Sequence, residues 1–352
     1  MSRFKTYLKN SLLLILVFLV CFGLGAGISS FFNPAGEVAD EVVTAPPVAD
    51  KERVNVLLLG VDARPGETDN TRSDTIIMAC IDPELNRAAF ISIPRDTKVS
   101  SAGLNGMDKI NAANVVGGPE LAVEKVSELL GEPIDYYVEV DFEGFKDIID
   151  IIGGITVDVD QRMYKPTEDI DLQPGVQKLD GYDALAFVRF RGYLNGDIDR
   201  TKHQQEFIKA LGQELLQPAT LVKLPALIRE ARSDVRTNLS LTDMLKIATW
   251  APGFSSENII AQTLPGYFAD ERNAEGVLTA SYWVADRTIA STLLDKMLAG
   301  ETVPYLVAAP PGVRTTTTAS STKADETKTD LERSALPSSG HETRTTRTVK
   351  KT

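Results

Sequence analysis

Histidine and cysteine are nearly missing from this chain, and several familiar catalytic signatures are missing altogether. Its 352 residues hold two histidines, His203 and His341, which excludes a His-rich zinc site. They hold two cysteines. Cys21 lies in an apolar N-terminal run and Cys80 in the apolar stretch Ile76-Ile77-Met78-Ala79-Cys80-Ile81, so no disulfide is expected between them. A lone cysteine in the folded part is compatible with an oxidising exterior. There is no Gly-x-x-x-x-Gly-Lys-Ser/Thr loop, no Gly-x-Gly-x-x-Gly after a strand, no Gly-x-Ser-x-Gly elbow and no Cys-x-x-Cys. An excess of positive charge is absent too: 37 Lys and Arg face 49 Asp and Glu, a formal charge of −12. An acidic chain is a poor general binder of nucleic acid, so none is expected as a partner, and any polyanion has to be gripped by a local basic cluster.

What is present begins with a membrane-length run. Arg3, Lys5 and Lys9 come first, and from Ser11 to Phe32 no charged residue follows, which matches the ~20 apolar residues a spanning helix needs. The basic flank predicts a cytoplasmic N-terminus, with the remainder of the chain on the outer side. A cleaved secretory signal is the rival reading, but the run is long for one and no clear Ala-x-Ala site follows. Residues 1–10 therefore read as a cytoplasmic end and 11–32 as a single transmembrane helix in the lipid bilayer. Residues 33–50, with Pro34, Gly36, Pro46 and Pro47, read as a linker. Residues 308–352, rich in Thr, Ser, Lys, Arg and Glu, cannot build a core and read as a disordered tail.

Between them, residues 51–307 alternate strand and helix patterns. Short apolar runs at 54–59, 75–81 and 88–93 predict strands covered on both faces, the last two joined by a turn at Asp82-Pro83. Residues 136–140, 156–159, 184–190 and 258–264 add further strands. Helices are predicted over 119–130, stopped by Gly131, and over 142–152, capped by Asp141. Others are expected over 201–216, up to Ile247 behind a Ser240/Asp243 capping box, and over 286–298. The alternation predicts an α/β fold, a three-layer α-β-α sandwich around a central mixed sheet.

The residues suited to chemistry collect at strand ends. Asp62 follows one strand and Asp74 precedes the next, and two carboxylates from adjacent strand ends can share a hard cation such as Mg²⁺. Read singly, each could merely cap a turn. Arg64, Arg72 and Arg95 fall at the same edge, with Asp96 beside them, and Lys109 lies in the turn Asp108-Lys109-Ile110-Asn111. Arg189 and Arg191 would share one face of a strand, and Arg200 and Gln204 one face of a helix. Guanidinium forks suit bidentate phosphate recognition, although any single Arg could serve a surface ion pair. Phe207, Ile208, Leu211, Leu215, Leu221 and Leu224 either pack as core or line a slot for a lipid tail. His203 reads as a helix-surface or supporting residue rather than a base.

Several ordered blocks together resemble the LytR-CpsA-Psr family of bacterial cell-wall enzymes. They are Leu58-Leu59-Gly60-Val61-Asp62-Ala63-Arg64, Arg72-Ser73-Asp74-Thr75, Ser92-Ile93-Pro94-Arg95-Asp96, Lys109-Ile110-Asn111-Ala112, Gly153-Gly154-Ile155, Val188-Arg189-Phe190-Arg191 and Asp199-Arg200 through Gln204-Gln205. The resemblance implies a transferase that moves a glycopolymer (teichoic acid, capsule or another anionic glycan) from a polyprenyl-pyrophosphate donor to a peptidoglycan acceptor. It further implies Mg²⁺, or Mn²⁺ in its place, on Asp62 and Asp74. Arg72, Arg95, Lys109, Arg189, Arg191, Arg200 and Gln204 would grip the pyrophosphate, and apolar helices would enclose the prenyl chain. Ala63, Thr71 and His203 depart from the family pattern without removing a proposed ligand. Asp62 and Asp96 are both candidates for the base, and neither is singled out. Two alternatives stay open at this point: a hydrolase using water as acceptor, and a non-catalytic module that binds lipid phosphates or regulates others.

Overall fold

The structure is a computed structural model that describes residues 52–62, 71–192, 197–221, 227–228 and 235–311, together with Val48 and Val313. The apolar runs at the start of the domain form β1 (Val54–Val61), β2 (Ser73–Asp82) and β3 (Arg87–Ser92), an antiparallel set. The turn between β2 and β3 is closed by the Asp82 carboxylate, which accepts from the Glu84 and Leu85 amides. After helix α1 (Ala112–Leu130) comes β4 (Tyr136–Val140), parallel to β1. Then follow α2 (Phe142–Ile152), β5 (Ile155–Val159), β6 (Met163–Lys165), β7 (Ile170–Leu172), β8 (Gly175–Leu179), α3 (Gly181–Arg189) and α4 (Asp197–Leu215). The chain closes through β9 (Arg236–Thr237), α5 (Leu241–Ala248), β10 (Ile259–Thr263), the hairpin β11 (Gly266–Arg272) and β12 (Leu278–Ala285), and α6 (Arg287–Leu298).

The central sheet is mixed, in the order β10-β3-β2-β1-β4-β9. Alternate residues of its strands feed two cores. On one face Val56, Leu58, Ile77, Phe90 and Val138 pack against α2, α3, α4 and α5. On the other, Leu57, Leu59, Met78, Ile91 and Tyr137 pack against α1 and α6. Helices on both faces explain why the strands read as unbroken apolar runs. Caps fall where side-chain chemistry places them. Asp141 accepts from the Gly144 amide, Ser240 Oγ from the Asp243 amide, and Gly131 ends α1 in the left-handed region at φ 73°.

Residues 184–190 are a correction to the sequence reading: they form the body of α3, not a strand. Asp180 caps this helix by accepting from the Asp183 amide, and Ala184, Leu185, Ala186, Phe187 and Val188 are all buried. A short helix buried all round looks like a buried strand when judged by apolar run alone. The helix expected over 119–130 also begins earlier, at Ala112, and breaks at Gly117-Gly118 before restarting on Pro119. The anchor at 11–32, nearly all of the linker at 33–50 and residues 314–352 of the tail lie outside the described residues. Among the described residues no helix is long and apolar enough to cross a membrane.

Candidate phosphate site beside an apolar cavity

Antiparallel pairing puts the end of β1 beside the start of β2, with Gly60 opposite Thr75, so Asp62 and Asp74 come to the same sheet edge. The segment after β3 delivers Arg95 and Asp96 there. Arg95 Nη1 donates to Asp74 Oδ1 at 2.7 Å, and Arg191 Nη2 to Asp74 Oδ2 at 3.3 Å. Arg200 Nη2 donates to the Asp74 carbonyl at 3.1 Å, and Gln204 Nε2 to Thr75 Oγ1 at 3.1 Å. Lys109 Nζ donates to Asp96 Oδ1 at 2.7 Å, and Arg95 Nε lies 3.8 Å from Asp96 Oδ2. Burial pushes the Asp74 carboxyl up, but the Arg95 hydrogen bond and the charges of Arg95, Arg200 and Arg191 outweigh it and hold the group below the usual carboxylate range. Asp74 thus gathers three guanidinium groups, two on its carboxylate and one on its main-chain carbonyl, in an acidic protein.

Asp74, Thr75, Arg191, Arg200 and Gln204 of this cluster line the mouth of a cavity of about 240 Å³, whose lining does not include Arg95, Asp96 or Lys109. Asp62, Asp74, Arg189, Arg191, Arg200 and Gln204 line its polar end. The interior is apolar, with Leu58 and Val138 from the sheet, Phe145 from α2, Val188 from α3, and Phe207 and Leu211 from α4. Arg189 stacks on Phe142 with its guanidinium carbon 4.5 Å from the ring centroid, where charged and apolar ends meet. A cavity charged at one end and greasy at the other fits an amphiphile with an anionic head.

The expected residues are largely brought together, although not as a strand would have done it. Arg189 ends α3, and the extended Phe190 (φ −59°, ψ 132°) turns the chain so that Arg191 also reaches the mouth. Arg72 is exposed just before β2 and does not line the cavity. Arg64 lies outside the described residues. Of the slot candidates, Phe207, Ile208 and Leu211 line the cavity, Leu215 is core, Leu221 packs on the core's edge, and Leu224 lies outside the described residues. His203 is buried rather than on the helix surface, edge-on to Phe187 at 5.3 Å. Sequence reasoning missed Thr75, Phe142, Leu185 and Val188 as lining residues, and missed the Asn114 amide. That Nδ2 donates to Thr71 O at 3.0 Å and Glu139 Oε2 at 2.7 Å, pinning the approach to β2. Their signal was tertiary, since β2, α1, α2 and α3 bring them together.

The donor set suits a hard cation: Asp62 and Asp74 offer carboxylate oxygens at one mouth. No group of three His, Cys, Asp or Glu ligands occurs among the described residues. An ion held there would draw its other ligands from phosphate and water, as Mg²⁺ commonly does.

Comparison with known proteins agrees with this picture. The model of the LytR_cpsA_psr family matches residues 32–298. The polyisoprenyl-teichoic acid–peptidoglycan teichoic acid transferase TagV of Bacillus subtilis is 34% identical over 224 residues, covering 61% of this chain and 57% of TagV. The chain thus spans little more than half of that relative's length. The enzyme of the same description from Oceanobacillus iheyensis, TagU, is 34% identical over 261 residues, covering 71% of this chain and 80% of TagU. The crystal structure of B. subtilis TagV superposes with a TM-score of 0.62 at 31% identity, over 73% of this chain and 100% of that one. TagT bound to LIIa-WTA gives 0.57 at 27% identity, over 71% of this chain and 91% of that one.

Proposed function

Because the chain belongs to the LytR_cpsA_psr family, we propose that it is a membrane-anchored phosphotransferase moving a glycopolymer from a polyprenyl-pyrophosphate carrier to peptidoglycan. The observation that carries this reading is the cavity whose apolar interior opens onto the arginine cluster at Asp74. The prenyl chain enters between α2, α3 and α4, and the pyrophosphate rests among Arg95, Lys109, Arg189, Arg191, Arg200 and Gln204, with Arg72 and Arg64 as further phosphate contacts. A peptidoglycan hydroxyl oxygen attacks the phosphorus nearer the sugar. The bond from that phosphorus to the bridging oxygen breaks, polyprenyl phosphate leaves, and the hydroxyl proton passes to a carboxylate, Asp62 or Asp96. Such a transfer needs positioning and charge neutralisation more than covalent help from the protein, which is what an arginine cluster supplies. Mg²⁺, or Mn²⁺, held by Asp62 and Asp74 would add charge neutralisation on the phosphate oxygens. Asp74, whose two carboxylate oxygens accept from Arg95 and Arg191, would have to give up part of that bonding to hold the ion. Residues 11–32 anchor the protein in the bacterial cytoplasmic membrane, with the domain on the wall side.

The test is transfer of a radiolabelled glycan from a synthetic polyprenyl-pyrophosphate donor to peptidoglycan fragments. Arg189→Ala and Arg191→Ala should each lower the rate by about 10²–10³. Glycan released to water in the presence of acceptor would establish a hydrolase instead. Donor binding and cellular function that both survive an Asp62→Ala, Asp74→Ala double change would establish a non-catalytic module.

A further inference from the structure

The loop carrying Asp96 does not stand alone. The Trp283 amide donates to Asp96 O at 3.0 Å, and the Lys98 amide to Trp283 O at 2.8 Å, so β12 is stitched along residues 96–98. On the far side of that segment the Ile110 amide donates to Thr97 O at 2.9 Å and the Asn111 amide to Arg95 O at 3.2 Å. The hairpin β11–β12, residues 95–98 and residues 109–111 therefore make one continuous ribbon beside the cavity, joined to its lining through the Arg95–Asp74 pair. Tyr282 is the side chain at its centre. It is buried, with Lys109 Nζ 5.5 Å and Lys98 Nζ 4.4 Å from its ring centroid. Its hydroxyl is engaged by Asp108 and Glu271, and burial together with these carboxylates pushes the phenol up to about 12, so it stays neutral. The same two carboxylates take Lys98, with Asp108 at 3.9 Å and Glu271 in direct hydrogen bond.

We propose that Tyr282 is a positioning residue for Lys109: its ring face holds the ammonium group against Asp96, at the place where it meets the donor pyrophosphate. The inference rests on the phosphotransferase reading above. A lysine on a four-carbon stem loses rotamer freedom when it grips an anion, and restraint beforehand lowers that cost. Asp96 supplies one restraint by charge. The aromatic face supplies a second that carries no formal charge and so does not compete with phosphate for the ammonium. Lys98, tied to Glu271 and Asp108, fixes the ring rather than the donor.

The test grades the ring's negative face without changing its shape. Tyr282→Phe keeps the face and should leave the donor KM within about twofold, whereas di- and trifluorinated phenylalanines at the same position should raise it stepwise to about tenfold. In a Lys109→Met background the fluorine series should be flat, since a pairwise interaction vanishes with its partner. A flat series with Lys109 in place, or equal slopes in both backgrounds, overturns the inference and leaves Tyr282 a structural residue of the hairpin. An unchanged donor KM in Lys109→Met alone overturns the gripping role of that lysine and the inference with it. A raised KM in Lys109→Met with a flat series removes the inference only. Because phenylalanine and its fluorinated forms fill the same space, loss of folding does not decide the result.

Discussion

Gly60→Ala offers the sharpest test of how the two strands present Asp62 and Asp74. Gly60 lies two residues before Asp62 and directly opposite Thr75, which follows Asp74. A Cβ added at Gly60 would lie 2.9 Å from Thr75 Cβ and 3.3 Å from Thr75 Oγ1. Ordinary contact between such carbons begins about half an ångström further out, so the strands must part or Thr75 must shift. Overpacking of this kind costs about 1–3 kcal/mol. Alanine also narrows the unfolded ensemble and returns roughly 0.4–1 kcal/mol, because Gly60 has no left-handed φ to forbid it. The net expectation is a loss of about 1–2 kcal/mol, read as a Tm lowered by roughly 2–8 °C. The functional loss should be larger. Thr75 Oγ1 is the acceptor of Gln204 Nε2, and both residues line the cavity. Moving a positioned group by about 1 Å lowers a rate by about 10². Calorimetry and the glycan-transfer assay read the two effects separately. Adding Thr75→Gly should remove the clash, at a cost of roughly 0.5–1 kcal/mol for glycine in a strand, while leaving Gln204 without its hydroxyl partner. Gly60→Ala with wild-type Tm and full transfer would refute the claim that this close approach sets the site.

Three further outcomes are expected. Asp74→Asn should be less stable than the wild type at neutral pH, by a margin that shrinks in acid. The sign follows from a folded carboxyl held below its ordinary 3.8: its contribution is complete above that value and lost as pH falls through the folded one, and urea unfolding between pH 7 and 3 measures it. EDTA should abolish glycan transfer and added Mg²⁺ should restore it, whereas donor binding measured by fluorescence should persist through the apolar cavity. Cys80 is fully buried and its thiol is pushed up by burial. In a Cys21→Ser protein it should therefore resist thiol reagents until the domain unfolds, and rapid labelling under native conditions would contradict the two-faced core.

The strand-end acids and arginines were legible because β1, β2 and β3 each hold an apolar run and charged residues mark where the runs stop. Asp62, Asp74 and Arg95 could be placed at one edge from the runs alone. The apolar half of the site was not legible in the same way. Leu58, Val138, Val188 and Phe207 come from four separate elements, and each reads locally as ordinary core. The strand expected over 184–190 failed because burial on every side erases periodicity, while Asp180, whose carboxylate caps α3, sits in a loop-like sequence. The β11–β12 hairpin escaped notice because residues 270–281 are mostly exposed or half-exposed and lack a repeating apolar pattern. Its importance arises only from where the Tyr282 ring lands.

The strand order β10-β3-β2-β1-β4-β9 also bears on how the chain is made. Both outermost strands come from residues beyond 235, whereas the four inner strands are complete by residue 140. During N-terminal-first synthesis the inner strands therefore wait with two open edges, at β3 and at β4. Such edges are templates for pairing with a neighbouring chain. Closure of the β3 edge is slow by its nature, because parallel pairing of Ile259 with Ala88 joins residues far apart in sequence. A chain truncated before residue 236 should thus be recovered as aggregate rather than as a smaller folded domain. The same late strand runs directly into the hairpin that holds the Asp96 segment, so closure of the β3 edge and support of that segment depend on one stretch of chain.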